Sequence, residues 1–292
     1  MIRIDVPATS ANLGAGFDSL GIALSMHNRV WMEEWDEVDI KSVDGIDIPT
    51  DENNLIYWAA DHLYKICGKK LPGLKLRQEN NIPMARGLGS SSACIVAGIL
   101  GANRLLGSPL SQTELINLAA KIEGHPDNTS PAISGGLVAS AIEGERVYSV
   151  SVPVSEKINF AVMIPPFELK TEEARRVLPK MYSREDAVYN LSRSGLMTAS
   201  LFSGNLENLR VAVQDKIHQP YRRKLINDFD AVEKLVKGNN AAFALSGAGP
   251  TLLCVTKDAS LPEILKTELP RLTQANWTVL PLKAEMNGAK TV

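Results

Sequence analysis

The eleven residues Pro83-Met84-Ala85-Arg86-Gly87-Leu88-Gly89-Ser90-Ser91-Ser92-Ala93 set two glycines and three hydroxyls ahead of an apolar run at helical spacing, Ile95, Val96, Ile99 and Leu100. Such a run predicts a helix over about 91–106 whose first N–H groups have no partner inside the helix. That end carries roughly half an elementary positive charge, and glycine lets the backbone approach a ligand without a Cβ in the way. The segment therefore predicts a seat for an anion such as the phosphates of a nucleoside triphosphate. It is not a Walker A loop, because no Gly-Lys-Ser/Thr follows, and the third glycine of a dinucleotide fingerprint is missing. Taken singly, a glycine-serine turn also reads as an ordinary connection.

Other segments carry polar residues that could face such a seat. Pro7-Ala8-Thr9-Ser10-Ala11-Asn12-Leu13-Gly14-Ala15-Gly16-Phe17-Asp18 follows a strand and gathers Thr9, Ser10, Asn12 and Asp18 among small residues. Asp18 could pair with a cation such as a substrate ammonium, although a plain turn would use the same residues. Glu123 ends the apolar stripe Leu115, Leu118, Ala119, Ile122, where an unpaired charge costs several kcal/mol unless it is matched or metal-bound. That makes Glu123 a candidate Mg²⁺ ligand. His125 and Asn128, in Gly124-His125-Pro126-Asp127-Asn128, read most simply as loop capping around Pro126. Ser246-Gly247-Ala248-Gly249-Pro250 lies between apolar strands as a tight connection, or as a point of close backbone approach. Arg175, four residues after Thr171, and Arg222, after Pro220-Tyr221, are either solvated surface arginines or guanidinium forks for a carboxylate.

The chain has 292 residues, enough for one large or two modest domains, with 31 Lys plus Arg against 33 Asp plus Glu. A net charge of −2 without like-charge blocks argues against nucleic acid as a partner. Cys67, Cys94 and Cys254 lack disulfide or zinc spacing, which fits a reducing cytoplasm. No leader or membrane-spanning stretch is expected.

Strands are expected at the N-terminus (Ile2, Ile4, Val6) and at 29–35, 74–78, 137–142, 160–164, 241–245, 251–256 and 277–282. Helices are expected at 54–66, 91–106, 111–123, 172–178, 184–203, 205–214, 219–237 and 261–268, with a capping box at Ser111 and Glu114. Glu143-Gly144-Glu145 and Ser155-Glu156-Lys157 separate two units, 1–155 and 156–292. Without a regular βαβ beat, a two-layer α+β arrangement is the economical reading.

Thr-Ser-Ala-Asn-Leu-Gly-Ala-Gly-Phe-Asp at 9–18, the serine loop at 87–92 and Ser-Gly-Ala-Gly-Pro at 246–250 resemble, in order, the motifs of the GHMP kinases. Within them, Glu-Gly-His-Pro-Asp-Asn at 123–128, Lys-Thr-x-x-x-Arg at 170–175 and Pro-Tyr-Arg at 220–222 resemble the homoserine kinase branch. The resemblance implies an N-terminal ATP-binding domain like the second domain of ribosomal protein S5, a ferredoxin-like C-terminal domain, and a site between them. It implies ATP and Mg²⁺ as cofactors and L-homoserine as substrate, with no nucleic acid or membrane partner, and it leaves a homodimer open.

Carried over residue by residue, Pro83 to Ala93 would wrap the triphosphate, Ser91 and Glu123 would hold Mg²⁺, and Asn54 would lie near the adenine. Asn12, Asp18, His125, Asn128, Thr171, Arg175 and Arg222 would surround homoserine. Asp18 would take its ammonium, and Arg175 and Arg222 its carboxylate. Where mevalonate kinase and its relatives use an aspartate base this chain has Asn128, and an amide is no useful proton acceptor at neutral pH. In-line transfer without a dedicated carboxylate base is the expectation, with Asp127 as the residue that could overturn it. A GHMP kinase for another hydroxylated metabolite and a non-catalytic sensor are the rival readings.

Overall fold

Ile4, Val6 and Ala8 project to one side of an extended chain and are fully buried, which holds the N-terminal segment as strand β1 (Ile2–Ala11). The computed structural model describes Met1–Val292. β1 pairs antiparallel with the long β2 (Leu20–Glu34), which pairs with β4 (Leu74–Glu79); β3 (Val38–Ser42) lies parallel to β4 at the edge. β5 (Leu137–Glu143) also pairs with β2 and forms a hairpin with β6 (Arg146–Val152). Helices α1 (Leu55–Ile66), α2 (Ser90–Leu105), α3 (Gln112–Glu123) and α4 (Pro126–Ser134) complete this layer. Ile56 and Leu63 of α1 and Val96 and Ile99 of α2 join β1 and β2 in one core.

The second sheet runs β10 (Thr278–Leu282), β7 (Asn159–Ile164), β9 (Leu252–Thr256), β8 (Ala242–Leu245), all antiparallel. In chain order that is 4-1-3-2, the split βαβ order of a ferredoxin-like unit. Its strands β7, β8 and β9 are buried almost without a break because both faces are covered, while the edge strand β10 alternates. Phe160, Val162, Leu253 and Val255 join the core of the first layer, while Ala161, Met163, Leu252 and Cys254 face a second core. The first face includes residues of α6 (Arg184–Ser203) and α7 (Leu206–Ala212); the second includes residues of α9 (Phe229–Gly238) and α10 (Leu261–Leu272). The short α5 (Thr171–Arg176) and α8 (Gln219–Arg222) lie at the junction of the two layers. The architecture is α+β.

Several elements differ from the sequence expectation. The strand at 29–35 is only the second half of β2; Leu20–Leu24 is buried without a break, so no period-2 signal marks it. The turn at Glu143-Gly144-Glu145 joins β5 to β6 rather than separating two units. His125 and Asn128, read most simply as loop capping around Pro126, instead flank the start of α4 (Pro126–Ser134), with Pro126 where a helix tolerates a missing N–H. The helix expected over 219–237 breaks into α8, a 3₁₀ turn at Arg223–Leu225, and α9. Asp228 sits there at φ 63° and spends its carboxylate on the N–H groups of Gln274 and Ala275. The end of the chain, assigned to the 156–292 unit, returns to the first sheet: Ala284 bridges to Leu24 and β11 (Lys290–Thr291) pairs with β1. No helix is long and apolar enough to cross a membrane.

Candidate active site

Helix α2 opens at Gly89, whose φ of +71° favours a residue without a Cβ, and no side chain caps its first turn. The N–H groups of that turn are thus left for an outside partner. The loop ahead of it is braced from the second layer. Ser246 Oγ donates to the Gly87 carbonyl at 2.6 Å, and a Cβ on Gly87 would stand 2.4 Å from Ser246 O. Gly247 N donates to Ala11 O at 3.1 Å, and Asn12 Nδ2 donates to Gly247 O at 2.9 Å. The three polar segments at 9–18, 87–92 and 246–250 therefore meet at one point, on one open cleft.

On one wall, Ser91 is exposed beside Glu123, while Ser92 is buried and donates to Glu123 Oε1 at 2.9 Å. Burial pushes the Glu123 carboxyl above its ordinary 4.5; the Ser92 bond offsets only part of this. His125 precedes α4, and its Nδ1 lies 2.8 Å from Asp127 Oδ1. Burial works against the imidazolium, but the bond and charge of Asp127 outweigh it and raise the His125 pKa above 6.5. Asn128 Oδ1 accepts from Thr9 Oγ1 at 2.7 Å.

The opposite wall holds the charged pair. Arg175, on α5, grips Asp18 through both oxygens, at 2.7 and 3.1 Å, and the Asp18 N–H donates to Asn12 Oδ1 at 3.0 Å. These two residues, expected to take opposite ends of a ligand, hold each other. Arg222 is 1 % exposed, with no carboxylate within 4.0 Å; it donates to Ala174 O and Gly247 O and lies over the Phe17 ring. Burial, followed by the charge of Arg175, lowers its pKa to about 10. A guanidinium so placed lacks an anion. Thr171 opens α5 and lines the cleft.

An adjoining pocket of about 650 Å³ shares Ala85, Ser90 and Ser91 with the cleft and is walled by Ile48, Pro49, Leu55 and Met84. Its largely apolar lining suits an aromatic base. Asn54 lines it, but its side chain is spent: Oδ1 caps α1 by accepting from Ile56 and Tyr57, and Nδ2 donates to Pro49 O and Gln78 Oε1. Asn54→Ala is accordingly expected to lower stability by about 1 kcal/mol through the lost cap, read by denaturant melts. The serine loop is also divided in its duties. Leu88 and Ala93 are core residues, Ser92 serves Glu123, and Arg86 lines the cleft with its guanidinium bonded to the carbonyls of Pro165 and Pro166 and paired with Glu168. Pro83 lines neither cavity.

The family model for the GHMP kinases N terminal domain matches residues 54–136. A homoserine kinase of Clostridium acetobutylicum is 43 % identical, covering 99 % of this chain and 99 % of that one. One from Caldicellulosiruptor bescii is 44 % identical over 99 % and 96 %. The chain belongs to the homoserine kinase family. The crystal structure of homoserine kinase from Cytophaga hutchinsonii superposes with a TM-score of 0.87 at 27 % identity, covering 100 % of this chain and 97 % of that one.

In this homoserine kinase fold the cleft also takes in residues that the sequence reading did not assign to ATP, Mg²⁺ or homoserine. Asp127 is buried beneath His125, and Lys170, Gly247 and Ala248 line the cavity. The 246–250 turn carried a usable signal, since paired glycines between buried strands mark close backbone approach. Lys170 carried only its place at the head of the Lys-Thr-x-x-x-Arg run at 170–175.

Proposed function

We propose that the cleft transfers the γ-phosphoryl group of ATP to the side-chain hydroxyl of L-homoserine, yielding O-phospho-L-homoserine for threonine synthesis in the cytoplasm. The observation that carries this reading is Arg222, a buried guanidinium without a carboxylate, standing beside the Asp18–Arg175 fork and across from the uncapped start of α2. A zwitterion meets both needs: its carboxylate answers Arg222, and its ammonium competes for Asp18. The family relationship supports ATP as the donor.

The residues fit Mg²⁺. Glu123 is half-buried with no cation partner, and no cluster of three or more His, Cys, Asp or Glu is present. An ion that keeps its waters and binds through phosphates asks for no more than Ser91 and Glu123. When bound, it supplies neutralisation of phosphate charge.

The chain's own groups do the positioning. First-turn N–H groups of α2 hold phosphate oxygens, Asp18, Arg175 and Arg222 fix the amino acid's ends, and Asn128 orients the acceptor hydroxyl. The hydroxyl oxygen bonds to the γ-phosphorus as the bridging bond to ADP breaks. Its proton leaves late, to phosphate or water, because each carboxylate of the cleft has another duty: Asp127 is engaged with His125, Asp18 with Arg175, and Glu123 faces Ser91 and Ser92. Asp127→Asn is expected to keep kcat within about tenfold, while Asn128→Ala lowers it about 10²-fold. Loss of turnover in the aspartate variant alone, with homoserine affinity intact, identifies Asp127 as the base.

An ADP-release assay across homoserine, other hydroxy amino acids and mevalonate, with and without Mg²⁺, tests the function. Mg²⁺-dependent turnover selective for homoserine is expected. Preference for mevalonate, or binding without turnover, overturns the reading.

A further inference from the structure

Thr9 has no place in the chemistry above, yet its side chain lies where the two halves of the site meet. It stands on β1, fully buried. Its N–H donates to the carbonyl of Leu88 at 3.1 Å, in the phosphate-facing loop, and its Oγ1 donates to Asn128 Oδ1 at 2.7 Å, on α4. Gly89 lies directly over that second bond: a Cβ there would come 2.0 Å from Thr9 Oγ1 and 3.2 Å from Asn128 Oδ1. One hydroxyl thus links the element that receives the donor phosphates to the side chain that meets the acceptor.

An asparagine amide can present either its oxygen or its NH₂ to a ligand, and the two faces ask opposite things of a hydroxyl. If Oδ1 faced the substrate, it would accept a hydrogen bond from the hydroxyl and turn O–H away from phosphate. With Oδ1 occupied by Thr9, Nδ2 is the group left for the cleft. A donor there takes one lone pair of the homoserine oxygen, leaving the other for phosphorus and the O–H free to point at a phosphate oxygen. That is the arrangement a transfer without a carboxylate base requires.

We propose that Thr9 is a positioning residue for phosphoryl transfer: by donating to Asn128 Oδ1 it fixes the amide face that meets the acceptor hydroxyl and ties it in register with the Leu88–Gly89 loop. The inference rests on reading the cleft as the homoserine-phosphorylating site. Wild-type turnover of homoserine tests that reading by itself, and the Thr9 variants are then compared with wild type.

The test replaces Thr9 by valine, which keeps β-branching and volume but removes the hydroxyl, and by serine, which keeps the hydroxyl. Thr9→Val is expected to lower kcat about 10- to 100-fold, with the KM for ATP within about twofold. Thr9→Ser should restore kcat to within about threefold of wild type. In an Asn128→Ala background, Thr9→Val should have almost no further effect, because the side chain it acts through is gone. If Thr9→Val does not fold, Thr9→Ala takes its place in the same cycle. Wild-type kcat in the hydroxyl-free variant overturns the proposal, as does failure of serine to rescue, or a full additional loss in the Asn128→Ala background.

Discussion

Arg222→Met is expected to raise the KM for homoserine at least about thirtyfold while the KM for ATP stays within about threefold. Losing one member of a desolvated charge pair costs roughly 2–5 kcal/mol, and 1.4 kcal/mol is a factor of ten. The effect is large because Arg222 is buried with no carboxylate within 4.0 Å, so the ligand's carboxylate is the direct ion-pair partner it lacks. Methionine fills similar length without charge, and a thermal melt checks that the lost bonds to Ala174 O and Gly247 O have not unfolded the protein. Arg222→Lys should recover little, because a single ammonium does not reproduce the planar fork. Steady-state kinetics with homoserine varied at saturating ATP decide the matter. An unchanged homoserine KM would falsify the assignment of Arg222 to the carboxylate.

Glu123→Gln should separate activity from stability. Loss of the carboxylate facing Ser91 is expected to lower kcat about 10²- to 10³-fold, the scale of removing one group that offsets transition-state charge. The same change should stabilise the nucleotide-free protein at neutral pH. Burial raises the Glu123 pKa above 4.5, so folding favours its neutral form. That contribution is whole below 4.5 and lost as pH rises through the raised value. Glutamine is neutral throughout, so the variant should melt with wild type near about pH 4 and above it near about pH 8. Equal melting temperatures at the higher pH, or undiminished turnover, would contradict the role given to this side chain.

Much of the site is legible in amino-acid order where its signals are local. Ser111 with Glu114 marks the start of α3, because a capping box acts within one turn, and Gly89 in the left-handed region ahead of an apolar run marks the start of α2, which no side chain caps. The unbroken apolar runs of β7, β8 and β9 announce a sheet covered on both faces. What stayed hidden is pairing over long separations. Asp18 and Arg175, 157 residues apart, each look free in the sequence, and only the fold closes them on each other. Ser246 reaches Gly87 across 159 residues, so a hairpin turn becomes the brace of the phosphate loop. Pro126 misled for a local reason: the residue that punctuates loops also starts helices, and the choice was made by the packing of α4 against β2, where Gly21 leaves room for the Asp127 carbonyl. Asn54 lies at the expected pocket, but its capping duty could not be seen until the bonds to Ile56 and Tyr57 were placed.

A crystal structure with homoserine and a non-hydrolysable ATP analogue is the most direct test of the central claim, that an uncapped helix start and a charge-matched amino-acid site face each other across one cleft. The expected result is phosphate oxygens on the N–H groups of Ser90 to Ser92, the homoserine carboxylate on Arg222 and its ammonium on Asp18. Phosphates bound elsewhere, or homoserine seated with Arg222 left bare, would contradict it.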